Sequence, residues 1–326
     1  MNSFSFSIAI RTLGKGGEKY KQELESICHQ SIQPDKVIVY IAEGYDIPNF
    51  RIGKEVYKVV PKGMVAQRAL DYNEINSQFI LLLDDDVFLP ENGVEILANE
   101  MLQNDADVIA ADVFKPQNNN LLGIIRDFVT SLFLPHYSNK WAFKVLRNAS
   151  CSYNIKPKPK AYLSQSAAGP ASLWRKSTLL GIHYSDEQWL DKLGFAWGDD
   201  QLMFNKVYRN GYKLMVSYDS GIEHLDAKSA STHFNKTVER FQKRAVAQYL
   251  LWFRTCYDLK TNSRIEKCRC AISFSFKIIE GLLVHSIYAL WNRNFSIVKA
   301  YINGIREGYN KANEIMGNIP NFILNK

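Results

Sequence analysis

Three adjacent carboxylates, Asp84-Asp85-Asp86, close a run of five apolar residues, Phe79-Ile80-Leu81-Leu82-Leu83. Like charges set side by side are costly unless a cation or hydrogen-bond donors offset them. Hard divalent cations take carboxylate oxygens together with substrate phosphates. A second acidic pair, Asp199-Asp200, and a histidine, His224, lie far downstream. These residue types suit metal-assisted handling of a phosphorylated substrate, with a carboxylate left to take a proton from a hydroxyl. Each has a plainer reading. The triplet is then a solvated acidic turn before Pro90, Asp199 a helix N-cap, and His224 a structural histidine.

The elements that must position these residues follow from periodicity. The apolar run reads as a strand buried on both faces, as in a parallel sheet covered by helices. Ligands of open α/β sheets bind beyond the carboxyl ends of such strands. Phe4 to Thr12 is a predicted first strand, followed by the turn Gly14-Lys15-Gly16-Gly17 and a helix from about Glu18 to Gln30. Strands are predicted over Lys36 to Ala42 and Lys54 to Val60. Gly63 to Tyr72 carries Met64, Val65, Ala69 and Leu70 at helical spacing, with Arg68 on the same helix. A helix over Gly93 to Leu102 and strands over Ala106 to Val113 and Ala171 to Trp174 come next. Asp199-Asp200 opens a helix that Asn210-Gly211 ends. A strand over Tyr212 to Tyr218 and the segment Gly221 to Asp226 complete the pattern. Strands alternating with helices predict an α/β domain of three layers around a mostly parallel central sheet. From Asn118 to Lys160 no clean period holds, and the segment reads as an insertion that covers the site or meets the acceptor. The glycine turn is no dinucleotide fingerprint, since its third glycine would fall at Lys19, and no Gly-Lys-Ser/Thr phosphate loop occurs.

With 326 residues, 46% hydrophobic and 22% charged, the chain suffices for one large α/β domain plus an appendage. Its net charge of +7 points to an anionic partner. Much of the excess lies beyond Thr232, at residues such as Lys236, Arg240, Lys243, Arg244 and Arg254. The expected division is a catalytic domain over 1–232 and a basic, amphipathic helical region over 233–326. Within the latter, Ala271 to Trp291 places Ser273, Lys277, Glu280, Tyr288 and Asn292 on one stripe and leaves a wide apolar face. Its charges argue against a spanning helix. It either lies in a membrane interface or packs on the protein's own core. Five cysteines without Cys-x-x-Cys spacing suit a reducing compartment and make no convincing zinc site. The N-terminus lacks a basic, then apolar, leader. A cytoplasmic location is expected.

At this point the motifs carry a resemblance. Leu83-Asp84-Asp85-Asp86 after a buried strand resembles the Asp-x-Asp motif of glycosyltransferases with a GT-A fold, specifically family 2, of the non-processive, surface-polysaccharide type. The order of parts agrees over roughly residues 4 to 232. Ile10-Arg11-Thr12 sits where that family has its first nucleotide-contacting strand end. Gln67-Arg68-Ala69 stands where an Ala-Arg-Asn element is usual, so the asparagine role has no counterpart. Asp199-Asp200 matches the family's Glu-Asp pair, with Gly211 twelve residues beyond Asp199, and His224 falls where some members place a metal-binding histidine. The Gln-x-x-Arg-Trp motif of processive synthases is missing.

The resemblance implies inverting, metal-dependent transfer of one sugar from a nucleotide-sugar donor. The acceptor is a hydroxyl of a lipid-linked or oligosaccharide glycan at the cytoplasmic membrane surface. Asp86 and His224 would hold a divalent metal, Mn²⁺ or Mg²⁺. Asp84 would face the ribose or a metal-bound water, with Asp85 as a spacer. Arg68 would reach the diphosphate, Thr12 and Glu43 the nucleoside. Asp200 would be the general base, with Asp199 beside it. Two alternatives stay open. A sugar nucleotidyltransferase would carry a glycine- and basic-rich loop after its first strand, which Gly14-Lys15-Gly16-Gly17 echoes in part. A nucleic-acid-binding module leaves both acidic clusters unexplained, and no nucleic-acid partner is expected.

Overall fold

The computed structural model describes residues 4–113, 140–154, 157–194, 197–226 and 238–322, together with 125, 128, 129 and 132. In chain order they form strand β1 (Phe6–Thr12), helix α1 (Glu18–Cys28), and strands β2 (Val37–Ala42), β3 (Glu55–Val60), β4 (Phe79–Asp84) and β5 (Val87–Phe88). Helix α2 (Gly93–Gln103) precedes strands β6 (Val108–Ala111), β7 (Phe143–Val145), β8 (Cys151–Tyr153), β9 (Ala161–Leu163) and β10 (Ala171–Arg175). Short helices α3 (Lys176–Gly181) and α4 (Trp189–Lys192) lead to α5 (Asp199–Arg209), then strands β11 (Leu214–Ser217) and β12 (Glu223–His224). Helices α6 (Val238–Trp252), α7 (Arg264–Trp291) and α8 (Ser296–Met316) close the chain.

Eight strands make one sheet in the order β3-β2-β1-β4-β10-β6-β11-β9. β10 runs antiparallel to both its neighbours and β9 antiparallel to β11, while the remaining pairings are parallel. Alternate residues of a strand face opposite layers. Phe6, Ile8 and Ile10 of β1 and Phe79, Leu81 and Leu83 of β4 bury against α1 and α2. Ala9, Ile80 and Leu82 belong to the opposite core, with Trp174, Phe204, Val246 and Leu250. A sheet apolar on both faces needs cover on both, and the expected three-layer architecture with a mostly parallel sheet and a C-terminal helical region is what the chain adopts. β4 lies between β1 and β10, in register so that Arg11 stands beside Asp84.

One predicted helix does not form. Gly63 to Tyr72 folds as a succession of turns, in which the carbonyl of Val65 accepts from the amides of both Arg68 (3.0 Å) and Ala69 (2.8 Å). The Asp191 carboxylate takes the amides of Val65 and Ala66, both at 3.0 Å, N–H groups that have no acceptor within a first helical turn. Tyr72 then takes a positive φ of 50°. Arg68, expected on a helix, is therefore carried by a turn. Of the irregular segment, the stretch 114–139 lies outside the described residues apart from four positions. The expectation that it covers the site falls there. Residues 140–154 contain the β7–β8 hairpin, with Phe143 opposite Tyr153. The expected boundary near 232 also falls outside the described residues.

The C-terminal helices share the core of the layer they cover. A β-carbon at Gly308 of α8 would meet the Tyr249 Cβ of α6 at 2.6 Å, so glycine there permits the close approach of the two helices. Trp252 of α6 stacks on Phe274 of α7 with ring centroids 4.2 Å apart. Beneath them Glu187 is wholly buried. It accepts from Arg254 Nη2 (2.7 Å), Lys206 Nζ (3.1 Å) and Trp189 Nε1 (2.8 Å). Arg254 sits on a π-helical turn, Phe253–Tyr257, and also donates to the Pro320 carbonyl at 2.8 Å. One carboxylate thus ties α5, the end of α6 and the C-terminal tail together. Burial opposes its charge, but Arg254 and Lys206 outweigh that and lower its pKa.

Glu187→Ala strands the buried Arg254 guanidinium, while Lys206 keeps Asp186 at 3.0 Å, and the expected cost is about 3 kcal/mol in denaturant unfolding at neutral pH. Because the folded-state pKa is depressed, the stabilisation is present above the unfolded value of about 4.3 and is lost as pH falls through the folded value. The gap between Glu187→Ala and the parent should therefore close in acid.

Candidate active site

β4 ends at Asp84, and the chain turns through Asp85 and Asp86 into β5. The three carboxylates part company there. Asp84 meets Arg11, Nε to Oδ1 and Nη2 to Oδ2 (3.1 Å), a two-pronged pairing that fixes both side chains. Burial works against charge at Asp84, but Arg11 and then Arg68 outweigh it and lower the pKa. Asp85 is 6% exposed and turns toward the β1–α1 loop, where the Thr12 hydroxyl donates to its Oδ2. The amide of Gly14 donates to that hydroxyl in turn, at 2.7 Å. Gly16 backs directly onto Asp85, since a β-carbon there would meet its carbonyl oxygen at 2.6 Å. Burial, opposed by the Thr12 hydrogen bond and aided by Asp86 and Asp84, pushes Asp85 up to about 6. Behind it on α1, Glu23 is completely buried. Burial, then Asp85 and Asp86, push its pKa well up.

Asp86 and His224 come together through a short ladder. β12 pairs antiparallel with β5, setting His224 opposite Val87, and the amide of Leu225 donates to the Asp86 carbonyl at 2.8 Å. His224 Nε2 then lies 3.0 Å from Asp86 Oδ1. Lys19 of α1 holds this return strand by donating to the carbonyls of Leu225 and Asp226. The Asp86 contact, followed by desolvation acting the other way, raises the His224 pKa.

The second acidic pair reaches the same crevice. Gly198, with φ 83°, precedes α5, and no side chain caps the helix, so Asp199 is not an N-cap. Asp199 and Asp200 occupy the first turn, where the helix dipole favours negative charge. Arg68, 4% exposed, bridges them. Its Nη1 donates to Asp199 Oδ2 at 2.8 Å and forms an ion pair with Asp200 Oδ1. Arg11 Nη1 approaches Asp199 Oδ2 at 3.9 Å. Gly169 donates its amide to Asp200 Oδ2 at 3.0 Å. A side chain at 169 would strike both Asp200 and Arg68. Burial opposes the Arg68 charge, but Asp200, Asp199 and Asp84 outweigh it and raise its pKa. Burial raises Asp200 despite Arg68, with Asp199 adding to the rise. Ala9, Tyr40, Gln67, Tyr72 and Leu82 floor the crevice under Arg11 and Arg68.

Asp84, Asp85, Asp86, Asp199, Asp200, Arg68, Thr12 and His224 therefore line one acid-rich region at the carboxyl ends of parallel strands. Glu43 is exposed at the end of β2, one strand beyond Thr12, and no described contact draws its side chain inward. Among the described residues no group of three or more metal-binding side chains converges on one point. The pair Asp86–His224 nevertheless fits a divalent cation of the Mg²⁺ or Mn²⁺ kind, with phosphate oxygens and water completing its shell. The carboxylates here also outnumber Arg11 and Arg68, an imbalance that a cation would relieve. Sequence reasoning passed over Arg11, Glu23, Lys19 and Gly169. A basic residue at the end of an otherwise apolar strand marks Arg11, but nothing local marks the others.

No family model matches the sequence, and no curated protein matches it significantly. Solved structures do resemble it. The chain is similar to the crystal structure of S. aureus TarS 1–349, with a TM-score of 0.49 and 15% identity, covering 94% of this chain and 83% of that one. It is similar to the same TarS 1–349 in complex with UDP-GlcNAc, with a TM-score of 0.44 and 13% identity, covering 94% and 92%. It is also similar to GalNAc-T7 with UDP, GalNAc and Mn²⁺, with a TM-score of 0.48 and 13% identity, covering 86% of this chain and 56% of that one. At 13–15% identity the activity must be read from the site's own side chains.

Removing Arg68 leaves two largely buried carboxylates without their counter-charge. Arg68→Ala should lose about 3 kcal/mol in urea unfolding at pH 7. The deficit should narrow at acid pH, where Asp200, its pKa raised by burial, takes up a proton. An equal deficit at both pH values would deny the bridge its electrostatic role.

Proposed function

We propose that the chain is a non-processive, inverting, metal-dependent glycosyltransferase that moves one sugar from a nucleotide-sugar to a hydroxyl of a lipid-linked or oligosaccharide glycan, in surface-polysaccharide synthesis within the cytoplasm. The observation that carries the reading is the meeting of two acidic clusters, 84–86 and 199–200, around buried Arg68, with Arg11 linking Asp84 to Asp199. A structural ion pair would need one carboxylate for Arg68. Here five carboxylates crowd a crevice in the place where open α/β sheets bind ligands.

In this reading the nucleoside lies over the ends of β1 and β2, near Thr12 and Glu43. Asp84, fixed by Arg11, faces the ribose side. Asp86 and His224 would hold the cation, which supplies Lewis-acid relief of the charge on the departing diphosphate. Arg68 adds a fixed positive charge beside it. Asp200 is the general base. Burial raises its pKa, which strengthens it as a proton acceptor, while the Gly169 amide holds Oδ2 and Arg68 pairs with Oδ1. The acceptor oxygen attacks the anomeric carbon as its proton passes to Asp200. The bond to the diphosphate breaks on the opposite side, and the configuration inverts.

Incubation with a panel of nucleotide-sugars and Mn²⁺ should release a nucleoside diphosphate from one donor. Pyrophosphate made from a nucleoside triphosphate and a sugar phosphate would instead indicate nucleotidyl transfer. Asp200→Asn should lower kcat by roughly 10²–10⁴-fold while donor binding by calorimetry stays unchanged, and normal turnover in that variant would remove Asp200 from the role of base. Asp86→Ala should abolish metal-dependent turnover, and His224→Ala should raise the Mn²⁺ concentration needed for half-maximal rate.

A further inference from the structure

Helix α7 carries its amphipathic pattern inside out. Its polar stripe faces the protein, together with the buried Cys270, Phe274 and Ala289. Lys277 Nζ donates to the Asn148 carbonyl at 3.2 Å and to Ser150 Oγ at 2.9 Å, Ser273 is fully buried, and His285 stacks on Tyr301 with centroids 4.4 Å apart. Among the described residues nothing covers its apolar side. Ile272, Phe276, Ile279, Leu283, Ile287 and Leu290 are 41–67% exposed along one stripe, and Trp291 at its end is 88% exposed. The apolar surface continues onto the start of α8 through Phe295 and Ile302, beside a cavity of about 440 Å³ that Leu290, Phe295, Val298 and Ile302 line. Exposed apolar area of this extent marks an interaction surface.

Charge selects the occupant. Arg264 and Arg269 flank the stripe at one end and Arg293 and Lys299 at the other, all exposed. The acids of α7, Glu266 and Glu280, are only half-exposed, and Arg147 holds Glu266 at 2.6 Å. A second copy of this chain, related by a two-fold axis, would set these cations against one another with no fully exposed acid of α7 to receive them. An anionic lipid surface answers both features, apolar depth for the stripe and negative headgroups for the four cations. By length and composition α7 is able to cross a membrane. Its other side is bound to the protein's own chain through Lys277, so it lies in the plane rather than spanning. We infer that the outward face of α7, with the start of α8, docks on a bilayer rich in anionic lipid. The inference rests on this surface alone and stands or falls separately from the transfer chemistry.

Vesicle flotation with the full chain tests it, using phosphatidylcholine vesicles with and without phosphatidylglycerol. The parent should float with the anionic vesicles and release as salt rises. Ile279→Glu/Leu283→Glu should bind at least roughly tenfold more weakly. Arg269→Glu/Arg293→Glu should lose the preference for phosphatidylglycerol. All four positions face solvent, and Ile279→Gln/Leu283→Gln with an unchanged unfolding midpoint guards against a folding defect. A parent that floats with neither vesicle would overturn the inference, as would variants that float like the parent. A dimer in sedimentation that Ile279→Glu/Leu283→Glu dissolves would assign the face to a second copy instead.

Discussion

The site depends on two guanidiniums, Arg68 and Arg11. Two acidic clusters more than a hundred residues apart could not share a crevice without a counter-charge, because their mutual repulsion grows as water is excluded. Arg68 supplies it, buried and in contact with Asp199 and Asp200, with Arg11 holding Asp84 alongside. A buried arginine is costly without partners and a buried carboxylate equally so, which makes the group obligatory as a set. The turn that carries Arg68 is held in its own right by Asp191, through the amides of Val65 and Ala66.

The same logic recurs one layer away. Glu187 gathers Lys206, Arg254 and Trp189. Lys206 lies on α5, the helix whose first turn presents Asp199 and Asp200. Arg254 lies beyond α6, and its guanidinium covers the Phe322 ring at 4.2 Å. The position of the second acidic pair therefore depends on the C-terminal helices, and the α/β layer and its helical cover work as one packed body. The antiparallel β10 serves a similar end. By separating β4 from β6 it brings Gly169, just before its start, under Asp200.

Much was legible in the chain itself. The strands β1, β2, β4, β6 and β11 and the helices α1, α2 and α5 follow from apolar period and from local breakers such as Asn210-Gly211, because burial on both faces of a sheet leaves a continuous apolar run, whereas the edge strand β3 is largely exposed and mixes polar with β-branched residues. The carboxylates at the tip of β4 announce themselves by being costly where they are. Single residues were not legible when their environment is built from distant chain. Glu23 reads as an ordinary helix-surface acid, yet it is wholly buried behind Asp85. Gly169 reads as a turn residue, yet it leaves room for Asp200 and Arg68.

The C-terminal helix marks the division most clearly. Sequence by itself determined that α7 has a polar stripe and a wide apolar face, since helical period depends only on the order of residues. Which face turns inward depends on what the rest of the chain offers, and Asn148 and Ser150 offer hydrogen-bonding groups to Lys277. The same holds for the active region. Residue type and spacing determined which side chains could carry charge, bind a cation or accept a proton. Only the tertiary structure decided that Asp86 meets His224, that Asp85 turns away to Thr12, and that Arg11 and Arg68 together join Asp84 to 199–200, because those pairings arise from strand register and buried electrostatics between segments far apart in the chain.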